Sequence, residues 1–151
     1  MTYKSPTPYH CLTDMDKEKI AEINSDFCVI EYKEQTDRFI RVVLKQKVND
    51  FPHTLEYGLW VSLSQDSFED YILNFDNNNH KTSYFGWLSN DLPDYDNSEM
   101  IPMSVYTKKG NERPEIVPHQ DFEHQFIKDF YRGISKKEAE RRIHAMLKNL
   151  E

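Results

Sequence analysis

The nine residues LEYGLWVSL (55–63) constrain the fold more than any other segment. Leu55, Tyr57, Leu59, Val61 and Leu63 are all apolar, and Glu56, Gly58 and Ser62 between them are polar or small. Successive side chains on a strand point to opposite faces, so this alternation requires a β-strand with one buried and one wetter face. Such a strand belongs in an antiparallel sheet rather than a parallel one covered on both sides. The exception is Trp60, a large aromatic placed on the polar face between Gly58 and Ser62.

Other runs carry the same signal. DFCVIEY (26–32) and RFIRVVLKQKV (38–48) are rich in β-branched and aromatic residues and are separated by a polar stretch of hairpin length. In the second run Ile40, Val42 and Leu44 share one face, while Phe39, Arg41, Val43 and Lys45 take the other. SYFGWL (83–88) places Phe85 and Trp87 on one face and Tyr84 and Leu88 on the other. IPMSVYT (101–107) and ERPEIV (112–117) follow, joined by a turn at KKGN (108–111). Pro114 has no N–H to give a ladder, so the last strand is expected at an edge or irregular.

Helices are marked by their caps. Thr13 offers an N-cap, Asp14 and Asp16 put negative charge in a first turn, and Met15, Ile20 and Ile23 form a weak stripe up to Asn24. Ser64 caps a second helix with Phe68, Tyr71, Ile72 and Phe75 at helical spacing, which ends in the polar run 76–80. Phe122, Phe126, Ile127 and Phe130 make a third stripe, closed by Gly133. Ser135 and Glu138 form a capping box before a last helix, whose apolar face is Ala139, Ile143, Met146, Leu147 and Leu150. Residues 1–12 hold two Pro and no period, and are expected as an extended arm. The expectation is a single α+β domain over 13–151, with an antiparallel sheet of five or six strands against these helices and a C-terminal helix pair.

Composition narrows the function. The 151 residues carry 26 acids against 19 Lys plus Arg, a net charge of −7. Residues 128–151 are net +3, so the remainder is −10. This balance speaks against a nucleic-acid partner. No apolar run approaches membrane-spanning length, and the N-terminus has no secretory pattern, so a cytoplasmic protein with both Cys reduced and no membrane partner is expected. His10, Cys11, Cys28, His119 and His124 have no metal-ligand spacing, and Cys28 reads as a small buried hydrophobe. The loop NDLPDYDNSE has acids at Asp91, Asp94, Asp96 and Glu99 but lacks the Gly of a calcium loop. No nucleophile elbow, dinucleotide fingerprint or P-loop is present. No cofactor is expected.

The expected function is therefore a non-catalytic protein-binding module, of the bacterial immunity or antitoxin type, that neutralises a basic toxin or effector by direct contact. An acidic surface steers a basic partner, and aromatic anchors supply affinity. The candidate contact residues are Trp60, Trp87, Asp91, Asp94, Tyr95, Asp96 and Glu99, with Trp60, Phe85 and Trp87 lining one platform if their strands share a sheet. The alternative is a small-molecule binder or enzyme with a pocket under this aromatic face, edged by Arg41 or His80.

The ordered blocks DFCVIEY, FIR, WVSLSQDSF, YFGWLSNDLPDY, ERP and YRGIS, spanning about residues 24–145, resemble a bacterial family known as domain of unknown function 2199. WVSLS and FGWL are the specific parts. The resemblance implies a shared fold and a bacterial origin, and it brings no reaction with it. It also implies a CxxCG segment near the N-terminus, from which this chain departs: PYHCLTDM has one Cys and no following Cys-Gly. No family metal role therefore carries over.

Overall fold

The computed structural model describes residues 1–109 and 112–149. The expected turn at Gly110 and Asn111, and Leu150 of the last apolar face, lie outside the described residues. The described elements are α1 (Thr7–His10), α2 (Asp14–Ile20), β1 (Ala21–Ile23), β2 (Phe27–Glu31), β3 (Thr36–Gln46), β4 (Leu55–Leu63), α3 (Gln65–Leu73), β5 (Ser83–Leu88), β6 (Pro102–Tyr106), β7 (Glu115–Pro118), α4 (Gln125–Arg132) and α5 (Lys136–Asn149). The α+β class is as expected, but the described sheet has seven strands in sequence order rather than five or six, because residues 21–23 add β1 where a helix end was expected.

The sheet is not purely antiparallel, because it closes. Strands β3 to β7 form an antiparallel meander, and β7 returns to pair with β3. In a five-strand meander the first and fifth strands run the same way, so the closing pair must be parallel. It joins Val43 to Glu115, and the Val43 N–H donates to the Pro114 carbonyl at 2.8 Å. This also corrects the expectation for Pro114. The strand begins one residue after it, and the proline contributes its carbonyl, which needs no N–H. Strand β7 is thus paired on both sides rather than lying at an edge.

One long strand makes this possible. Residues 36–40 of β3 pair with β2, and Val43 on the same edge pairs with β7. The sheet continues outward through β2 to β1, a three-residue edge strand. Expected as the end of the first helix, residues 21–23 are extended instead; the helix stops at Ile20 and the chain turns back along β2.

The alternating positions point where their period requires. Ile40, Val42 and Leu44 of β3 and Leu55, Tyr57, Leu59, Val61 and Leu63 of β4 are buried in one cluster with Tyr84, Leu88, Met103, Val105 and Ile116. Each such Leu, Ile or Val contributes roughly 1.5–3 kcal/mol by leaving water. Helix α3 is capped by the Ser64 hydroxyl, which accepts from Ser67 N–H at 3.2 Å. Phe68 and Tyr71 of the helix, with Phe75 in the turn beyond its end at Leu73 rather than on the helical stripe expected, pack edge-on around Phe27 at centroid distances of 6.3, 6.1 and 5.1 Å.

Two helical expectations shift. The third stripe starts later than its apolar residues suggest. The His124 ring caps α4 by accepting from Phe126 N–H at 3.0 Å, which leaves Phe122 outside the helix and 43% exposed. On α5 the buried residues among those described are Ala139 and Arg142, whereas Ile143 and Leu147 are exposed. Gly133, between the two helices, has φ of +86°, and a Cβ there would lie 2.2 Å from Asn49 Oδ1.

Candidate functional site

Residues 1–12 decide which part of the barrel wall is covered. They are not a plain extended arm, since Thr7–His10 form a helical turn. Tyr3 N–H donates to the Gly58 carbonyl at 2.9 Å, and Gly58 N–H donates to the Met1 carbonyl at 2.6 Å. Gly58 permits this approach: a Cβ there would meet Thr2 side-chain atoms at 3.2 and 3.3 Å. Further on, Thr7 N–H donates to the Ser89 carbonyl, Asn90 donates to the Ser5 carbonyl, and Asp91 N–H donates to the Thr7 hydroxyl.

Trp60 lies beneath this segment and is fully buried. Its indole N–H donates to the Tyr3 carbonyl at 2.9 Å, and its backbone N–H donates to Asn90 Oδ1 at 2.8 Å. It forms a second core outside the barrel with Cys28, Ile30 and Phe39, against which Tyr3, Tyr9, Leu12 and Ile20 pack. Trp60 is therefore not on an exposed platform. The N-terminal segment takes its face and packs Tyr3, Tyr9 and Leu12 against the same core. In the same core, burial pushes the Cys28 thiol up to about 12, so it stays protonated at neutral pH.

The wall beyond Trp60 stays open. Strand β5 turns Tyr84, Gly86 and Leu88 inward and Phe85 and Trp87 outward. Gly86 lets β5 press onto β4, because a Cβ would come within 3.1 Å of the Ser62 carbonyl oxygen. Phe85 is 47% and Trp87 37% exposed. They pack edge to face at 4.9 Å, and Phe85 packs likewise on His119 at 5.3 Å. His119 is held by Ser104, its Nε2 lying 3.1 Å from the hydroxyl. Tyr106 continues the outer face at one end of the wall, and Met100, bonded to the Leu88 carbonyl, flanks the other; both are largely exposed. These rings are fixed by their neighbours and lose little rotamer freedom on binding, which is how exposed aromatics become anchors.

The acidic loop borders the Trp87 end but is not uniformly available. Asp94 accepts from Arg141 at 3.0 Å. Tyr95 is half-buried, and its hydroxyl donates to Asp129 at 2.5 Å. The Asp96 carbonyl holds the His124 ring at 2.7 Å, while the Asp96 carboxylate is exposed. Asp91 is exposed and Glu99 partly so. Of the expected contact residues, Trp87, Asp91, Asp96 and Glu99 remain on the surface without a described intramolecular ion pair. Trp60, Asp94 and Tyr95 are committed to the fold.

Sequence reasoning missed a buried polar cluster where α5 meets the barrel. Arg142, 4% exposed, donates through Nε to Glu138 at 3.0 Å, through Nη1 to the Tyr57 hydroxyl at 3.1 Å, and through Nη2 to the Tyr95 hydroxyl. Asp129 lies 3.5 Å from the same Nη2. Each guanidinium nitrogen has a partner within the fold, so this cluster fastens the helix to the barrel. Burial and the neighbouring Asp129 push the Tyr95 hydroxyl upward. Arg141, and after it Arg142, hold the Glu138 carboxyl down to about 2 against the opposing effect of burial. The folded value lies below the ordinary one of about 4.3. Glu138 therefore stabilises the fold above that value, and its contribution fades as pH falls from about 4.5 toward 2. Denaturant midpoints at pH 6 and pH 3 are expected to differ more for the natural protein than for E138Q.

No helix among the described residues is long and apolar enough to cross a membrane. No curated protein and no solved structure matches the chain. Residues 1–134 match the family described as "Uncharacterized protein conserved in bacteria (DUF2199)". The resemblance carried by the WVSLS and FGWL blocks thus extends over the N-terminal segment and the whole barrel, and the chain belongs to this family.

Proposed function

We propose that the protein is a non-catalytic binding module that neutralises a basic protein partner of the toxin or effector type by direct contact through the outer wall of β5 and β6. The observation that carries this reading is the rigid, exposed pair Phe85 and Trp87 on a barrel wall whose neighbouring Trp60 is covered. Large aromatics are normally hidden, and a fixed cluster left in water marks a contact surface. Asp91, Asp96 and Glu99 lie at the Trp87 end of that wall and steer a partner of opposite charge.

Co-expression with the products of adjacent genes, followed by affinity capture, tests the reading. A complex that survives purification and whose association slows with added salt is the expected result. Failure to recover a complex with any neighbour-encoded protein would reject it. In such a complex F85A and W87A are each expected to weaken binding by about 2 kcal/mol or more, roughly thirtyfold, as hot-spot truncations do. Because both side chains are already half in water, each variant should lose only about 1 kcal/mol of folding stability.

A further inference from the structure

A pocket of about 310 Å³ opens at the Tyr106 end of the same wall. Its lining includes Lys81, Lys108, Lys109, His80, Tyr106 and Thr107, and no carboxylate is among the described lining residues. In a chain of net charge −7 this is a local reversal of sign. Lys108 is shared with Glu115 at 3.2 Å, whereas Lys81 and Lys109 have no carboxylate partner among the described residues. At physiological salt, charges beyond about 8 Å are largely screened, so an anion in the pocket responds to these lysines more than to the acidic body.

The frame of the pocket is fixed. The Thr107 hydroxyl accepts from Thr82 N–H at 3.0 Å and lies 3.2 Å from both the His80 and Thr82 carbonyls. The Tyr84 hydroxyl donates to Asp70 at 2.6 Å, and His80 Nε2 lies 3.1 Å from that hydroxyl and 3.2 Å from Asp70. The Tyr106 ring, 46% exposed, supplies one apolar wall.

We infer that this pocket binds a small phosphomonoester, with the phosphate among Lys81, Lys108 and Lys109 and the organic part against Tyr106. Three lysines line the one pocket, and an ammonium is a compact point charge suited to a phosphate dianion. The pocket shares Tyr106 with the protein-binding wall, but Lys81 and Lys109 lie outside the Phe85–Trp87 pair and the acidic loop, so K81Q/K109Q and W87A test the two sites independently.

The test is an amide-resolved NMR titration of the full chain with inorganic phosphate and, separately, with phenyl phosphate, at constant ionic strength held by sodium chloride. Saturable shifts confined to residues 80–82 and 106–109 are expected, with phenyl phosphate binding several-fold more tightly. K81Q/K109Q should weaken both probes at least tenfold while keeping the dispersed spectrum of a folded chain, and K4Q/K19Q should leave both unchanged. Y106A should erase the preference for phenyl phosphate. Shifts that never saturate, or that persist in K81Q/K109Q, overturn the site. Equal affinity for the two probes overturns its assignment to a phosphomonoester rather than free phosphate.

Discussion

Replacing Trp60 with alanine is expected to cost roughly 3–5 kcal/mol, the range for deleting a large aromatic from a packed core. For a domain of this size that lowers the melting temperature by roughly 6–20 °C. Two losses combine. The indole is fully buried among Cys28, Ile30 and Phe39, so its removal leaves a cavity. It also anchors residues 1–12 through the bond to the Tyr3 carbonyl. Limited proteolysis of W60A should therefore cut first within that segment, before the barrel is attacked. W60F keeps most of the packing and loses the indole donor, so about 1 kcal/mol is expected beyond the volume change. Thermal unfolding of W60A, W60F and W87A side by side checks the contrast. Similar losses for W60A and W87A would mean that the two indoles share one environment, contrary to the fold.

R142A should be the second most damaging change, at roughly 3–5 kcal/mol, because removing one member of a buried ion cluster strands the others. Arg142 ties α5 to β4 through Tyr57 and to the loop after β5 through Tyr95. Its loss leaves both hydroxyls and the Asp129 carboxylate without their cation. R142K keeps the charge but has no planar fork to reach Glu138, Tyr57 and Tyr95 together, so most of the loss should remain. R141A is the control. Arg141 is half-exposed in its pairs with Asp94 and Glu138, and solvent screens such pairs, so its loss should shift stability far less than that of Arg142. Urea midpoints for the three variants provide the measurement, with hydrogen exchange in α5 showing whether the helix detaches.

These two residues also show where the sequence was legible. The alternation over 55–63 told which side of β4 faces the core, and the caps at Thr13 and Ser64 marked helix starts that the structure contains. Trp60 announced itself by breaking the alternation. What covered it was not legible, because residues 1–12 have no period and hold β4 mainly by backbone hydrogen bonds, which leave no mark on side-chain pattern. Barrel closure was hidden for the same reason, since it rests on one backbone pairing at Val43. Arg142 was lost among the charges of KKEAERRIHAMLKN, although it stands three residues after the buried Ala139 and so on the same helical face. On the candidate surface, the exposure of Phe85 and Trp87 followed from their strand face, while the commitment of Asp94 and Tyr95 to α4 and α5 required tertiary contacts.

On the proposed reading a basic partner sits on the open wall of β5 and β6. Hydrogen–deuterium exchange of the chain, free and in its co-purified complex, tests this most directly. New protection is expected in segments covering 83–88 and 102–106, with the acidic loop slowed beside them. Protection confined to α5, or to the N-terminal segment over Trp60, would contradict it.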